Sequence, residues 1–295
     1  MNAIPQLKLG IPKGSLEKAT VELFAQAGWT ISINSRNYFP AIDDPTLICK
    51  LMRPQEMAMY VADGTLDVAL TGWDWIIERD CQDKVTDVAT LEYSKSSNKP
   101  CRWVLVAPEN SPIQGVQDLQ GKRIATELQS FTRRYLEERG VQAEVIFSWG
   151  ATEAKVVEGL VDAVVEITET GSTLRAHRLR IVEELLETRT KLIANPKAME
   201  DPWKRNKVDQ IALLLKAALD ARHKVMLKMN VPASRLDTLM AILPSLTSPT
   251  VNPLLDHEWR AVETVVDRNL VRDLLPRLKE AGAIGILEFD LKKVV

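Results

Sequence analysis

Apolar residues near the start of the chain switch from a continuous run to helical spacing. Residues 7–11 form a short apolar run that predicts a strand, and Pro12-Lys13-Gly14 ends it. Ser15 is a predicted helix N-cap, and apolar residues recur at helical spacing from Leu16 to Ala27. A strand, a glycine turn and a helix in this order are typical of the opening of a parallel α/β unit.

A second pattern occurs in residues 60–72 and again in residues 156–171. Each copy has a glycine, an aspartate three residues later, an apolar run and a final Thr-Gly pair; these are Gly64, Asp67 and Thr71-Gly72 in the first copy and Gly159, Asp162 and Thr170-Gly171 in the second. The copies lie too far apart for a solenoid repeat and predict equivalent corners of two similar α/β lobes. Chance similarity between two ordinary helix-to-strand junctions is the alternative.

The middle of the chain carries the signals of a further lobe. Strand-like runs occupy residues 103–107, 121–126 and 144–147, a helical pattern occupies residues 131–139, and the chain is expected to return to the first lobe near residues 190–193. Such lobes leave between them a cleft of the kind in which ligands bind. The predicted boundaries are residues 1–98 with 188–222 for the first catalytic lobe and residues 99–187 for the second.

The chain changes character beyond a helical pattern at residues 208–219. Apolar residues at every second position from Val225 to Val231 alternate with Met226, Lys228 and Asn230, which is typical of a strand, and later patterns complete the order β, α, β, β, α, β. This is the order of a ferredoxin-like (ACT-like) module, a common regulatory fold for small ligands, which we expect over residues 223–295. Pro276 lies inside its last predicted helix. The predicted fold class is α/β, with lobes that form a cleft and a C-terminal βαββαβ regulatory domain.

Composition narrows the class of protein. Lys and Arg total 38, Asp and Glu total 40, and the formal net charge is -2, so the basic excess of a duplex nucleic-acid binder is absent. No run reaches the ~18 apolar residues of a membrane helix, and the start of the chain lacks a signal-peptide pattern. The three cysteines have no C-x-x-C spacing, which argues against a zinc site and a disulfide framework. We expect a cytoplasmic protein that binds neither nucleic acid nor membrane.

The segment from Glu166 to Leu174 is the strongest candidate for chemistry, because it follows an apolar run and precedes a helical one. Consecutive N–H groups at such a turn attract anions, and Gly171 allows a ligand to approach the backbone closely. The segment therefore predicts a phosphate site, with an ordinary Thr-rich turn as the alternative. Its carboxylates are candidates to contact ribose hydroxyls or to hold Mg²⁺ through water. The polar side chains of the segment are Glu166, Thr168, Glu169, Thr170, Ser172 and Thr173.

Further candidates stand at the predicted ends of other elements. Lys13 is placed to neutralise a pyrophosphate leaving group, with a solvated turn lysine as the alternative; the spacing is not that of a Walker A loop. Arg53 and Asp74 are placed similarly. Trp73 and Trp75 flank Asp74 and are candidates either to stack on a base or to pack between lobes. None of the three histidines lies in a nucleophile or metal pattern.

Five segments, taken together, resemble the ATP phosphoribosyltransferase family. They are LGIPKGSLEKA from Leu9, LMRPQEMAMYVADGTLDVALTGWDWIIE from Leu51, RIATELQSFTRRYLEERG from Arg123, VDAVVEITETGSTLRAHRL from Val161 and KMNVPASRLDTLMAILPSLTSPTVNPL from Lys228. The fourth is similar to the family's signature, and the last resembles the regulatory domain of its long form. The ordered set covers nearly the whole chain and is far more specific than any single motif.

This resemblance implies periplasmic-binding-protein-like lobes and a glycosyltransferase that begins histidine biosynthesis. In such an enzyme N1 of ATP attacks the anomeric carbon of phosphoribosyl pyrophosphate, and pyrophosphate leaves with Mg²⁺. The resemblance also implies inhibition by histidine and assembly as dimers and hexamers. We place the effector site at the turn of Ser248 and Thr250, whose N–H and hydroxyl groups would receive the carboxylate of histidine.

Roles for individual residues follow by motif. Glu169, Thr170, Gly171, Ser172 and Thr173 would hold the 5-phosphate of phosphoribosyl pyrophosphate. Glu166 stands near the ribose where many family members have Asp, so its charge sits on a longer arm, and with Glu169 it is a candidate for Mg²⁺. Lys13 and Arg53 would meet the pyrophosphate or the ATP phosphates, and Asp74 and Glu127 would line the nucleotide cleft. An oxocarbenium-like transition state needs positioning and charge stabilisation rather than acid–base catalysis.

Two alternatives remain open. A prephenate dehydratase also joins two such lobes to a small regulatory domain, and Thr132-Arg133 resembles its Thr-Arg motif. The phosphate-type turn would then have no purpose. A non-catalytic solute-binding protein is the other alternative, against which the missing signal-peptide pattern and the third domain both argue.

Overall fold

Strands and helices alternate along the chain in the computed structural model, which describes residues 4–33, 38–94, 100–150, 152–244, 246 and 248–295. The strands are β1 (Leu7–Pro12), β2 (Ile31–Ser32), β3 (Ala41–Ile42), β4 (Leu47–Met52), β5 (Val68–Gly72), β6 (Thr86–Leu91), β7 (Cys101–Pro108), β8 (Arg123–Thr126), β9 (Glu144–Phe147), β10 (Ala163–Thr168), β11 (Leu179–Thr188), β12 (Thr190–Ala194), β13 (Lys224–Pro232), β14 (Thr250–Pro253), β15 (Trp259–Asp267) and β16 (Ile284–Asp290). The α-helices are α1 (Glu17–Ala27), α2 (Pro54–Ala62), α3 (Trp73–Glu78), α4 (Gln129–Glu137), α5 (Thr152–Val157), α6 (Ser172–Ala176), α7 (Pro202–Arg222), α8 (Leu236–Met240) and α9 (Val271–Glu280).

The strands of the predicted first lobe form one sheet in the order β4-β1-β5-β12-β6. β1 pairs in parallel with β4 and β5, whereas β12 runs antiparallel to β5 and β6. The apolar run that predicts β1 is deeply buried, with Leu7, Leu9 and Ile11 each 0% exposed. Gly10 allows close packing on this central strand, because a Cβ there would lie 2.7 Å from Leu66 Cδ1.

The strands of the predicted second lobe form a sheet in the order β9-β8-β10-β7-β11. Strand by strand, this order corresponds to β4-β1-β5-β12-β6 of the first sheet. β8 pairs in parallel with β9 and β10, and β7 runs antiparallel to β10 and β11. β12 in the first sheet and β7 in the second are each one strand in from an edge, run antiparallel to both neighbours, and come directly after the chain has crossed from the other sheet. The doubled α/β organisation expected from the sequence is thereby confirmed.

The repeated sequence pattern marks the same corner in both sheets. Asp67 Oδ2 accepts a hydrogen bond from the backbone N–H of Lys8 on β1 at 2.8 Å. Asp162 Oδ2 accepts one from the N–H of Arg123 on β8, also at 2.8 Å. The strands that follow these aspartates, β5 and β10, lie beside β1 and β8 respectively. Chance similarity is therefore the wrong explanation of the repeat, since the same side chain makes the same bond at equivalent strands.

The chain forms two compact units, one reaching from the start to residue 25 and from 29 to 212, the other comprising residues 26–28 and 213–295. The division falls inside α7 rather than after it. The predicted lobe boundaries at 98/99 and 187/188 within the first unit stay a prediction. Of the helices in the described residues, none combines the length and the hydropathy of a transmembrane segment.

The second unit contains an antiparallel sheet in the order β14-β15-β13-β16. With α8 between β13 and β14 and α9 between β15 and β16, it has the predicted βαββαβ order and the strand arrangement of a ferredoxin-like fold. The apolar residues that alternate along β13, from Val225 to Val231, are 0% exposed and pack with Leu274 and Leu278 of α9. α9 continues through Pro276.

The sequence patterns do not predict β4, β6 or β11. β11 reads LRIVEELLET and pairs with β7 through register shifts at Ile181/Glu183 and Glu184/Leu186. Each shift offsets the alternation of side chains by one residue, so the strand lacks the period of two by which strands are recognised.

Candidate active site

A cavity of about 570 Å³ opens in the first unit, where parallel strands of both sheets end. Its lining residues include Lys13 after β1, Arg53 after β4, Asp74 after β5, Glu127 after β8 and Glu169 after β10. Ligands of open α/β sheets bind at the carboxyl ends of the strands. The cavity therefore brings five of the predicted site residues together at the edge where a ligand is expected.

The two basic residues predicted for the site, Lys13 and Arg53, lie against aromatic rings. Lys13 Nζ is 4.3 Å from the centroid of the Tyr38 ring, and Arg53 Cζ is 4.9 Å from that of Trp149. Within the described part of the chain, neither forms an ion pair with a carboxylate. Exposed cation–π contacts contribute only about 0.5–1 kcal/mol, so both cations can turn to an anionic ligand at little cost.

Asp74 is a buried carboxylate, 2% exposed, at the start of α3. Its Oδ2 accepts a hydrogen bond from Trp103 Nε1 at 2.8 Å, and its Oδ1 accepts one from Thr188 Oγ1 at 2.8 Å. Burial raises the pKa of this carboxyl, and the hydrogen bonds act in the opposite direction. Because Trp103 lies on β7 and Thr188 ends β11, Asp74 ties together the segments through which the chain enters and leaves the second sheet.

Glycine is required at both Thr-Gly corners, for different reasons. A Cβ at Gly72 would lie 2.0 Å from Asp74 Oδ1, so any larger residue would displace that carboxylate. Gly171 instead has φ +70°, a left-handed conformation that favours glycine. The repeated Thr-Gly pair thus positions a carboxylate in one lobe and turns the backbone in the other.

The predicted phosphate turn follows β10. The Gly171 N–H donates to Thr168 Oγ1 at 2.8 Å, and the hydroxyls of Thr170 and Ser172 share a hydrogen bond of 3.1 Å. Thr168 lines the cavity, and Thr170, Ser172 and Thr173 are exposed beyond it. The Thr168 hydroxyl therefore shapes the turn, whereas the three exposed hydroxyls face solvent.

Glu166 lies on β10 behind this turn and is half-buried. Burial raises the pKa of its carboxyl to about 7; the charges of Glu153 and Glu127 act in the same direction, while hydrogen bonds from Thr152 and the Ile167 N–H lower it. A carboxyl with this pKa is partly protonated at neutral pH. The ionisation of Glu166 therefore depends on what binds beside it.

Glu127 and Glu169, which line the cavity, have hydrogen-bond donors of their own, whereas Glu166 is not among the lining residues. Glu169 Oε1 accepts from Ser94 Oγ at 2.9 Å, and Glu127 Oε1 accepts from the Gly150 N–H at 3.2 Å. The structure, over the residues it describes, contains no group of three or more His, Cys, Asp or Glu side chains arranged to hold a metal ion. Mg²⁺ commonly binds through one or two carboxylates, waters and substrate phosphates, and Glu166 and Glu169 suit that mode.

A joint between the lobes lies where α3 meets α4. The Glu78 carboxylate accepts hydrogen bonds from the N–H groups of Ser130 at 2.9 Å and Phe131 at 2.8 Å, at the start of α4. Arg134, further along α4, donates to the Ile77 carbonyl at 2.7 Å. Glu78 of α3 therefore accepts from N–H groups at the start of α4, and Arg134 of α4 donates to a carbonyl near the end of α3. No pattern in the sequence predicts this contact.

Trp73 and Trp75 are occupied by packing rather than open to a base. Trp75 contacts Trp103 edge-on, with centroids 6.1 Å apart and an interplanar angle of 86°, and packs against the core of the second lobe. Trp73 lies beneath Lys191, whose Nζ is 5.6 Å from the ring centroid. The packing interpretation of these tryptophans therefore fits better than the stacking one.

Other residues at the cavity are missed by sequence reasoning. Gln55 lines it, and Gln55 Oε1 is one of two side-chain atoms in the described residues that are buried without a hydrogen-bond partner. Thr188 and Arg189 line it at the point where the chain returns to the first sheet. The only signal for these two was the predicted lobe boundary, which falls beside them.

The predicted effector turn lies in the second unit. Ser248 and Thr250 are exposed, and Thr250 begins β14 opposite Glu263 of β15. The sequence also predicts a β-like segment from Thr247 to Pro253, and its first residue, Thr247, lies outside the described residues. A role for Ser248 and Thr250 in binding histidine stays a prediction.

Family models match both parts of the chain. The family described as "HisG: ATP phosphoribosyltransferase" matches residues 53–217, and that described as "HisG_C: HisG, C-terminal domain" matches residues 221–293. Together the matched segments include part of the first large sheet, the whole of the second and the whole of the small sheet.

Curated relatives match over the full length. The ATP phosphoribosyltransferase of Desulfatibacillum aliphaticivorans is 57% identical over 289 residues, covering 98% of both chains. That of Nitratidesulfovibrio vulgaris strain DSM 19637 is 57% identical over 295 residues, covering 100% of both. Among solved structures, a chain of the ATP phosphoribosyl transferase (HisG:HisZ) complex from Thermotoga maritima has 28% identity and a TM-score of 0.62, covering 73% of this chain and 99% of that chain.

Proposed function

The chain belongs to the ATP phosphoribosyltransferase family, in its long form, and from this membership we propose how its cleft holds the substrates. The enzyme transfers the phosphoribosyl group of phosphoribosyl pyrophosphate to N1 of ATP and releases pyrophosphate, the first step of histidine biosynthesis. Full-length relatives at 57% identity support this interpretation over a prephenate dehydratase or a non-catalytic binding protein.

The 5-phosphate of phosphoribosyl pyrophosphate binds at the turn from Glu169 to Thr173. The first N–H groups of α6 lack intrahelical acceptors, and Gly171, with φ +70°, turns the backbone at that point. The exposed hydroxyls of Thr170, Ser172 and Thr173 can add donors. This turn is the main support for the proposal, because it combines backbone and side-chain donors directly after Thr168 and Glu169, which line the cavity.

The ribose lies over β10, where Glu166 can accept hydrogen bonds from its hydroxyls. Because its pKa is raised to about 7, this carboxyl is partly protonated at neutral pH before the ribose binds. Hydroxyl donors favour the ionised form, so a bound ribose lowers the pKa of Glu166. Binding of phosphoribosyl pyrophosphate at neutral pH therefore releases a fraction of a proton from this residue.

Pyrophosphate leaves towards Lys13 and Arg53. Both cations rest on aromatic rings at the cavity, 4.3 Å and 4.9 Å from the ring centroids, and can be drawn away by a stronger charge–charge contact. As the bond to the anomeric carbon lengthens, negative charge grows on the departing pyrophosphate. A cation that meets this charge stabilises the transition state more than the ground state.

The chain supplies position rather than acid–base chemistry. N1 of ATP is already a nucleophile with a lone pair, and the anomeric carbon becomes electrophilic as pyrophosphate departs. The residues that hold the two substrates in line therefore account for most of the rate. Asp74 and Glu127 line the nucleotide side of the cavity, where Asp74 also fixes the joint between the lobes.

Mg²⁺ is the metal ion that we assign to the reaction, with Glu166 and Glu169 as its protein contacts. The donor set fits, because two carboxylates near a phosphate turn leave the remaining positions to water and substrate oxygens. When bound there, such an ion would neutralise part of the pyrophosphate charge.

Histidine inhibits the enzyme by binding to the second unit, where Ser248 and Thr250 form part of its binding site. The support is the ferredoxin-like order of β13 to β16 and the match of residues 221–293 to the family's C-terminal domain. Inhibition is then allosteric, with histidine favouring a less active state. We also propose that the enzyme works in the cytoplasm as a dimer or hexamer.

Incubation with ATP, phosphoribosyl pyrophosphate and Mg²⁺, followed by mass analysis, tests the activity. We expect a product with the mass of ATP plus one phosphoribosyl group, together with one pyrophosphate per product. Mixtures that lack one substrate are the controls. Folded protein that yields no such product under these conditions would overturn the assignment.

A further inference from the structure

Two aromatic side chains are exposed just beyond β9. Phe147 is 48% exposed and Trp149 is 56% exposed. Their ring centroids are 5.8 Å apart with an interplanar angle of 41°, so they form a contiguous apolar surface, here called the aromatic pair. Large aromatic groups gain by burial, and a contiguous exposed pair beside a cavity suggests a ligand that covers it.

The aromatic pair is linked to the cavity at two points. The Arg53 guanidinium lies over the Trp149 ring at 4.9 Å, and Arg53 lines the cavity. The N–H of the next residue, Gly150, donates to Glu127 Oε1 at 3.2 Å, and Glu127 lines the cavity as well. Trp149 therefore stands at the rim, between a cation of the first lobe and a carboxylate of the second.

We propose that Trp149, supported by Phe147, is the platform on which the adenine ring of ATP stacks. This assignment rests on the proposed function and adds the residue that receives the base. Without nucleotide, the guanidinium of Arg53 covers a face of the indole. When ATP binds, its phosphates attract Arg53 more strongly than the ring does, and the purine takes the place of the guanidinium.

The chemistry of the rim favours a base over the other parts of the substrates. An indole face offers no donors to phosphate oxygens, and the nearby Glu127 carboxylate repels them. Every purine presents a flat π-face, for which stacking on an aromatic side chain is a common mode of binding. The tryptophans that line the cavity, Trp75 and Trp103, already pack against each other edge-on with ring centroids 6.1 Å apart.

The test compares ligands that differ only in whether they carry a base. Binding of ATP, inorganic tripolyphosphate and phosphoribosyl pyrophosphate is measured separately by calorimetry on the full chain. We expect Trp149→Ala to bind ATP about five- to a hundredfold more weakly, in line with the usual contribution of base–aromatic stacking. Tripolyphosphate and phosphoribosyl pyrophosphate should bind as they do to the wild type. Trp149→Phe should recover most of the loss.

Leu160→Ala is the matched control, because it removes an exposed apolar side chain, 59% exposed, from the opposite end of β10 in the same lobe. It should bind all three ligands normally. Equal weakening of all three ligands by Trp149→Ala would overturn the platform and make Trp149 a structural contact between the lobes. Unchanged ATP binding by Trp149→Ala would overturn it outright. A wild-type chain that binds no ATP would instead remove the proposed function on which the inference rests.

Discussion

The predicted charged site residues lie in three different environments, and each environment limits what the residue can do. Lys13 and Arg53 rest on exposed rings and can move to an anion. Asp74 is held by buried donors and cannot move to a ligand without breaking its hydrogen bonds to Trp103 and Thr188. Glu166 lies between these limits, because its pKa of about 7 allows it to gain or lose a proton near neutrality.

Replacing Lys13 by Met tests the proposed contact with the leaving group. The change removes the charge and keeps most of the apolar stem. We expect turnover to fall about ten- to a hundredfold while substrate binding changes less, because the charge on pyrophosphate grows in the transition state. Steady-state kinetics of product formation measure both quantities. Lys18→Met, at a position 89% exposed on α1, is the control, and normal turnover in Lys13→Met would return Lys13 to a solvated turn residue.

Glu166 predicts a pH dependence of stability. Its pKa is about 7 in the folded chain and 4.5 as a free group, so between these values the folded state binds a proton that the unfolded state has lost. The contribution of Glu166 to the free energy of unfolding is fully present below the unfolded pKa and is lost as the pH rises through 7. Glu166→Gln cannot ionise and should lack this loss, which amounts to about 2–3 kcal/mol between roughly pH 5 and pH 8.

Urea unfolding of the wild type and of Glu166→Gln over that pH range measures the difference. Glu144→Gln, at an exposed position on β9 in the same sheet, is the matched control and should follow the wild type. Parallel curves for wild type and Glu166→Gln would show that the carboxyl has an ordinary pKa in the folded chain.

Residue-level prediction from sequence succeeds where a side chain follows the end of a predicted element. Lys13 and Glu169 carry that signal, and the cavity collects both. It gives no signal for Thr188 and Trp149, because their contacts are with residues far away in the chain: Thr188 with Asp74 and Trp149 with Arg53. A local pattern contains no information on such pairs, and only the fold brings them together.

At the scale of elements, the corners before β5 and β10 are the most predictable parts of the molecule. A glycine, an aspartate and an apolar run are each local signals, and the aspartates bind the N–H groups of neighbouring strands in the same way. β11 is the opposite case, since its register shifts remove the alternation. Elements with regular side-chain patterns are predictable from sequence. A bulged strand such as β11 is not, because it is defined by its pairing with β7 rather than by a local pattern.

The joint between α3 and α4 gives a prediction at this scale. Glu78 binds two N–H groups at the start of α4, where a negative charge also interacts favourably with the helix dipole. Glu78→Gln removes the charge and replaces one acceptor by a donor. We expect it to lower the free energy of unfolding by about 0.5–2 kcal/mol, measured by urea denaturation.

Glu137→Gln is the control for this joint, because Glu137 is exposed near the end of the same helix. The account would fail if both variants had the same stability. A loss of stability in Glu78→Gln accompanied by a higher KM for both substrates would show in addition that the joint helps to set the geometry of the cleft.

At the scale of the whole molecule, catalytic and regulatory functions are assigned to different compact units. The cavity residues all belong to the first unit, and the predicted effector residues to the second. The order of strands and helices in the second unit was predictable from sequence, because buried and more exposed side chains alternate along β13 and β15. The division inside α7 was not, because a continuous helix gives no sequence signal of where one unit ends.

Separating the units predicts the loss of regulation. A chain that ends at Arg222 keeps every residue that lines the cavity and should form product while losing its sensitivity to histidine. Rates with and without histidine are measured beside the assembly size in solution. In the full chain, Ser248→Ala combined with Thr250→Ala should also weaken inhibition, which keeps the test valid if the short chain fails to fold. Inhibition of the short chain at the same histidine concentration would place the effector site in the first unit.

In the proposed complex, the cleft of the first unit holds phosphoribosyl pyrophosphate with its 5-phosphate at the turn after β10. A crystal structure of the full chain with phosphoribosyl pyrophosphate and Mg²⁺, without ATP, tests this most directly. We predict 5-phosphate oxygens about 2.7–3.2 Å from N–H groups or hydroxyls of Gly171 to Thr173, with the pyrophosphate directed towards Lys13 and Arg53. Phosphoribosyl pyrophosphate bound elsewhere, or bound in the reverse direction with its pyrophosphate at the turn, would contradict the account.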